Sequence, residues 1–171
     1  MHDHPVPAPT NVTLRAATID DVPVILRCIQ GLAEYERLAH ECVATEESVR
    51  ESLFGKSPAA QVVLAMVSEE AAGFALWFRN YSTFLAKPGI YLEDLFVFPK
   101  HRGRGIGRML LEHLAQIAVS QGFGRLEWAV LDWNEDAIRF YRSLGAVPMS
   151  DWTTYRVTSA ALAALGGASS R

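Results

Sequence analysis

The stretch YLEDLFVFPKHRGRGIG, residues 91–107, constrains the fold more than any other part of this 171-residue chain. Leu92, Leu95, Phe96, Val97 and Phe98 form a β-rich apolar run closed by Pro99, which suits a largely buried strand. Gly103, Gly105 and Gly107 then permit backbone angles and close approaches that let successive amides converge on one group. From Arg108 to Ser120 the apolar residues Met109, Leu110, Leu111, Leu114, Ile117 and Ala118 recur at helical spacing. A strand that passes through such a turn into a helix brings unsatisfied N–H groups and the positive dipole end to the turn. Lys100, His101, Arg102, Arg104 and Arg108 add charge of the same sign, so the turn is suited to a phosphate or pyrophosphate.

Spacing decides which glycine-rich turn this is. A Walker loop needs Gly-x-x-x-x-Gly-Lys-Ser/Thr, and no Lys-Ser/Thr pair follows here; a dinucleotide fingerprint needs its third glycine one position later. The pattern Arg102-x-x-Gly105-x-Gly107 resembles the acetyl-coenzyme A signature of the GNAT superfamily of N-acetyltransferases. That resemblance implies an α/β fold with a central mixed, mostly antiparallel sheet of six to seven strands flanked by helices, and a β-α-β core that binds acetyl-coenzyme A.

The remaining pattern agrees with alternating elements. Val12 to Arg15 reads as a strand, Ile19 to Leu38 as a helix with Pro23 near its start, and Glu46 to Phe54 as a helix capped by Thr45. Gln61 to Val67 and Gly73 to Phe78 read as antiparallel strands about the turn Ser68-Glu69-Glu70. Arg125 to Leu131 returns as a strand and completes a β-α-β crossover. Asn134 to Leu144 is helical, Gly145 stops it, and Trp152 to Val157 reads as a last strand before an Ala-rich helix. Residues 1–10 read as a disordered leader, 11–158 as the catalytic domain and 159–171 as a terminal helix and tail.

Half the residues are hydrophobic, enough for a substantial single core, and the formal net charge is −3. With basic groups gathered at one turn, a nucleic-acid partner is not expected. Cys28 and Cys42 fit neither a disulfide framework nor a zinc site, and no metal is expected. The leader MHDHPVPAPT lacks a signal-peptide core and no apolar run reaches membrane-spanning length, so a cytoplasmic location without membrane association is expected.

Downstream, LDWNEDAIRFYRSLGA, residues 131–146, places Asn134 at a helix start and Tyr141 two turns along the same face. With YLEDLFV, RGRGIG and Leu32-Ala33-Glu34-Tyr35-Glu36, this block resembles the branch of diamine acetyltransferases, which acts on spermidine, spermine or thialysine. The resemblance runs from about Val12 to Val157. It implies direct transfer of an acetyl group from acetyl-coenzyme A to the primary amine of a small cationic molecule, with Glu93 as general base and Tyr141 as general acid. It further implies coenzyme contacts from Leu95, Phe96, Val97, Arg102, Gly103, Arg104, Gly105, Ile106, Gly107, Arg108, Asn134 and Tyr141. Tyr35, Glu36, Glu93, Asp94 and Asp132 fall on the substrate side, although strand alternation turns Asp94 away from Glu93. A homodimer is expected from the same branch.

Each residue also has a plainer reading. Tyr141 can pack beside Phe140, Glu93 can be a surface carboxylate, and Asn134 can be only a cap. Phe84 stands where better-known members of the branch carry Trp, and Glu127 lies in an otherwise apolar strand, facing either the cleft or solvent. The choice among polyamine, thialysine and related amines stays open. A peptide acetyltransferase and a non-catalytic coenzyme-binding module are the alternatives.

Overall fold

A computed structural model describes residues 11–167; the expected leader and the last residues of the tail lie outside that range. The chain divides into two compact units, one ending at Leu131 and one beginning at Asp132.

The first unit is built on a five-stranded sheet in the order β1 (Val12–Ala16), β2 (Gln61–Val67), β3 (Glu70–Ser82), β4 (Lys87–Val97), β5 (Leu126–Trp128). The first three pairings are antiparallel and β4 to β5 is parallel. Helices α1 (Val22–Tyr35) and α2 (Glu46–Phe54) cover one face, where Val22, Ile25, Cys28, Val49 and Leu53 pack on Val62, Leu64, Phe74, Leu76 and Phe96. Val63, Ala65, Ala75 and Trp77 are also buried, and by alternation they take the opposite face, the side of α3 (Ile106–Ser120). Buried Ile106, Leu110, Leu111 and Leu114 supply the apolar stripe of that helix.

Local chemistry explains the boundaries. Thr45 Oγ1 accepts the Ser48 amide at 3.2 Å and starts α2. The segment read as one helix from Ile19 to Leu38 is a single 3₁₀ turn, Ile19–Asp21, followed by α1. At the other end of α1, the Leu38 amide bonds the Ala33 carbonyl and the Arg37 amide bonds the Glu34 carbonyl, with Arg37 left-handed at φ 63°. That is a Schellman closure, so the helix stops before Glu36. Cys28 is fully buried and burial pushes its thiol up to about 12, which leaves it unreactive.

The mixed, mostly antiparallel sheet and its β-α-β step are present, but the described strands number five rather than six or seven. One expected strand is shorter than read, and the absence of another lowers the count. The strand read over Arg125 to Leu131 pairs only across Leu126–Trp128, because its ladder with β4 ends at Leu92. Trp152 to Val157 carries β-prone residues yet forms no strand. Its own unit holds only α4 (Glu135–Ser143) and α5 (Ser159–Leu165) as regular elements among the described residues, so that unit offers no ladder to join.

Glu127 lies on β5 opposite Tyr91. One of its oxygens accepts from Asn80 Nδ2 at 2.7 Å and from Arg125 Nε at 2.8 Å. This charge in an apolar strand is therefore paired within the sheet. Gly89 makes the pairing possible, because a Cβ there would meet Asn80 Oδ1 at 2.5 Å. Phe84 stands 94% exposed in the turn between β3 and β4.

Candidate active site

The acidic pair Glu93-Asp94 sits at a break in the ladder between β3 and β4. Leu76 pairs with Asp94 and Trp77 with Leu92, so Glu93 is the extra residue of a β-bulge. A bulge re-aims side chains, so regular alternation along β4 is interrupted at this pair. Asp94 shares the face of its partner Leu76, the face covered by α1. Glu93 is exposed. Beyond Leu92 the parallel pairing of β4 with β5 also ends. Backbone groups from Glu93 onward thus lie where β4 has lost its β5 neighbour.

Burial raises Asp94 to about 6, and the nearby charges of Glu93 and Glu36 push in the same direction. Burial also raises Glu36, the residue that caps α1. Three carboxyl groups, Glu36, Glu93 and Asp94, thus share one neighbourhood. Gly31 allows α1 to come this close, because a Cβ at that position would meet Phe96 Cζ at 2.6 Å. Neither the bulge nor this coupling was read from sequence; the adjacent acids inside YLEDLFV were the available signal.

Tyr35, at the last turn of α1, is 39% exposed. The Arg102 guanidinium lies 5.0 Å from its ring centroid and 5.6 Å from that of Phe96. Arg102 Nε donates to the Val97 carbonyl at 2.9 Å. One side chain expected at the coenzyme turn therefore touches one expected on the substrate side and ties both to the end of β4.

The turn itself has the geometry of an anion cradle. Gly103 and Gly105 have φ of 71° and 74°, left-handed values that other residues adopt at a cost. A Cβ added at Gly103, Gly105 or Gly107 would meet nothing within 4 Å, so the space above all three is open. Gly105 caps α3, and the first intrahelical bond runs from the Met109 amide to the Gly105 carbonyl. The amides of Ile106, Gly107 and Arg108 precede it and have no partner within the helix. Arg108 pairs with Glu112 at 3.6 Å, Arg104 meets His101, and Lys100 pairs with Glu70. This arrangement of open glycines, helix amides and guanidinium groups fits a pyrophosphate.

In the second unit, Asn134 is 9% exposed and its Oδ1 accepts the Ala137 amide at 3.2 Å, the cap read from sequence. Tyr141 lies on α4 with its ring 5.4 Å from that of Phe140. Asp132 is exposed.

Together, the crossover through an open glycine turn and the acids at the break in β4 define the class, an N-acetyltransferase. Residues 29–146 match the acetyltransferase (GNAT) family, and the chain belongs to it. The L-ornithine N5-acetyltransferase of Arabidopsis thaliana is 35% identical, across 89% of this chain and 86% of that one. The thialysine N-epsilon-acetyltransferase of Mus musculus is 33% identical, across 90% of this chain and 96% of its own. Among solved structures, an integron cassette protein from the mobile metagenome of V. cholerae superposes with a TM-score of 0.76 at 26% identity, covering 92% of this chain and 99% of that one.

Proposed function

We propose that this protein moves an acetyl group from acetyl-coenzyme A to a primary amine of a small cationic substrate, an ornithine-, thialysine- or polyamine-like molecule. The observation that carries this reading is the coupling of Asp94 to Glu93 and Glu36 at the bulge of β4. Crowded carboxylates of this kind gain most from a ligand that brings its own positive charge. The names of the two relatives describe acetylation of amines on amino acids that carry a side-chain amine.

The pyrophosphate is assigned to the amides of residues 103–108 with Arg102, Arg104 and Arg108, and the pantetheine arm to the backbone of Leu95, Phe96 and Val97. Asn134 is assigned a coenzyme contact. When bound, acetyl-coenzyme A supplies the acyl group as an activated thioester. Tyr35, Glu36, Asp94 and Asp132 receive the cation. A lysine-like amine has a reference pKa of about 10.4, so its free base at pH 7 costs about 4 to 5 kcal/mol. Glu93 lowers that cost by taking the proton directly or through a water, and Tyr141 returns a proton to the departing thiolate. A homodimer accompanies this reading, and light scattering tests it.

The test is thiol release from acetyl-coenzyme A with ornithine, thialysine, lysine, putrescine, spermidine, spermine and short basic peptides, the products weighed by mass spectrometry. Turnover of one small amine is expected. Acetylated peptides with silent small amines would overturn the substrate class. Against the preferred amine, Tyr141→Phe is expected to lose roughly 10²-fold in kcat with coenzyme affinity kept; unchanged kcat would remove Tyr141 from the chemistry.

A further inference from the structure

His101 is the buried polar side chain at the glycine turn, and its two ring nitrogens have unequal surroundings. The residue is 6% exposed. Its Nδ1 lies 3.2 Å from Arg104 Nη1. Arginine can only donate, so Nδ1 must accept. The proton of the neutral ring then resides on Nε2. That nitrogen is buried without a hydrogen-bond partner, and Glu70 Oε2, at 3.7 Å, stands too far to provide one. Glu70 is the first residue of β3 and is held at the turn by its ion pair with Lys100.

A buried donor left unpaired calls for a reason, because most such groups in folded proteins find partners. Arg104 supplies one. The contact at Nδ1 fixes the tautomer, and the tautomer leaves Nε2–H directed toward a carboxylate just out of reach.

We propose that His101 is a positioning residue for coenzyme binding. In its Nε2–H form it holds the Arg104 guanidinium from behind, so that the remaining N–H groups of that side chain are oriented for a phosphate of the coenzyme. The proposal rests on the acetyl-coenzyme A reading of the turn. Flanked by Gly103 and Gly105, Arg104 has little else in its own backbone to restrain it, since glycine neighbours permit many conformations. A fixed guanidinium binds an anion without losing that freedom on binding, the general advantage of preorganisation.

Two measurements test it. In the coenzyme-free protein, nitrogen-edited NMR of the imidazole should show His101 with a bare Nδ1 and a protonated Nε2; the opposite tautomer would overturn the assignment. Calorimetric titration of coenzyme A then compares wild type, His101→Phe, His101→Asn, Arg104→Ala and the His101→Phe/Arg104→Ala double variant. His101→Phe should weaken binding about tenfold, the scale of one hydrogen bond to a charged group. His101→Asn, which keeps an acceptor near the Nδ1 position, should recover most of that loss. Once Arg104 is Ala, removing His101 should cost less than about twofold more, because the two act as one unit. Losses that multiply in the double variant would make His101 a packing residue and overturn the proposal. Should His101→Phe not fold, His101→Gln replaces it: its amide reaches toward Nε2 instead, and affinity equal to that of His101→Asn is the overturning result. Wild type that binds no coenzyme A would instead refute the coenzyme reading itself, whereas binding that is indifferent to His101 refutes only this inference.

Discussion

Asp94 and Glu93 are neighbours in sequence and differ in the physics that surrounds them. Burial and two adjacent carboxylates raise Asp94 to about 6, whereas Glu93 is exposed at the bulge. Under the function proposed above, Asp94 is assigned to holding the substrate cation and Glu93 to the exchange of a proton with water or amine. As pH rises through about 6, Asp94 ionises and a cationic substrate should bind more tightly, so KM should fall between about pH 5 and pH 7. Asp94→Asn should remove that dependence and raise KM by roughly 10- to 100-fold with kcat nearly kept, the loss of one charged contact. Glu93→Gln should instead depress kcat and move the pH–rate curve toward alkaline values, because solvent must then deprotonate more of the amine. Full pH profiles of kcat and KM for both variants check the division. Identical profiles for the two would show that the acids act as one group.

At the scale of elements, the approach of α1 to β4 decides where Glu36 stands relative to Asp94. Gly31 permits that approach, and its absent Cβ is replaced by the Phe96 ring, which packs edge-on against Phe98 with centroids 5.2 Å apart. In an unhindered helix, Gly→Ala stabilises by about 1 kcal/mol. Here the clash should prevail, so Gly31→Ala is expected to destabilise by about 1 to 3 kcal/mol, as overpacking does, and to raise the amine KM. Combining it with Phe96→Leu should restore part of both losses. Urea melts and kinetics of the single and double variants read the result; a single variant more stable than wild type would show that the ring yields freely. This contact was invisible in the sequence, where Gly31 reads only as a weak spot in a helix. The strand, glycine turn and helix at residues 91–120 were legible because each follows from local chemistry. The bulge at Glu93 was not, because a bulge is a property of two strands and the sequence of one obeys alternation on either side of it.

The same distinction holds for the whole molecule. Local signals such as Thr45, the apolar stripe of α3 and the cap at Asn134 placed helices correctly, whereas strand identity at Trp152 to Val157 depended on a partner that propensity cannot supply. Of the candidate site, the glycine turn was legible from spacing; the engagement of Arg102 with Tyr35 and the coupling of Glu36 to Asp94 required the fold. Global stability should carry two opposed signatures of that fold. The Arg15 hydrogen bonds at 2.7 Å, assisted by the Thr18 amide, hold Asp21 down at about 2. An unfolded aspartate titrates near 3.9, so between about pH 4 and pH 2 the unfolded chain binds the extra proton and stability falls with acidification. Asp94 has the reverse sign: its folded carboxyl, at about 6, holds a proton that the unfolded one has released. Stability should therefore fall as pH rises from about 4 to about 6, by on the order of 2 kcal/mol from this group, and stay level above. Glu36, raised by burial, adds to the same decline, and Glu70, lowered by Lys100, adds to the acid limb. Thermal melts across pH 2 to 8 should peak near pH 4 to 5. Asp94→Asn should flatten the decline above that peak and Asp21→Asn the fall below it. A wild-type profile that rises steadily to pH 7 would mean that Asp94 is ionised at little cost, and a saturating cationic amine should produce that profile by supplying the missing charge.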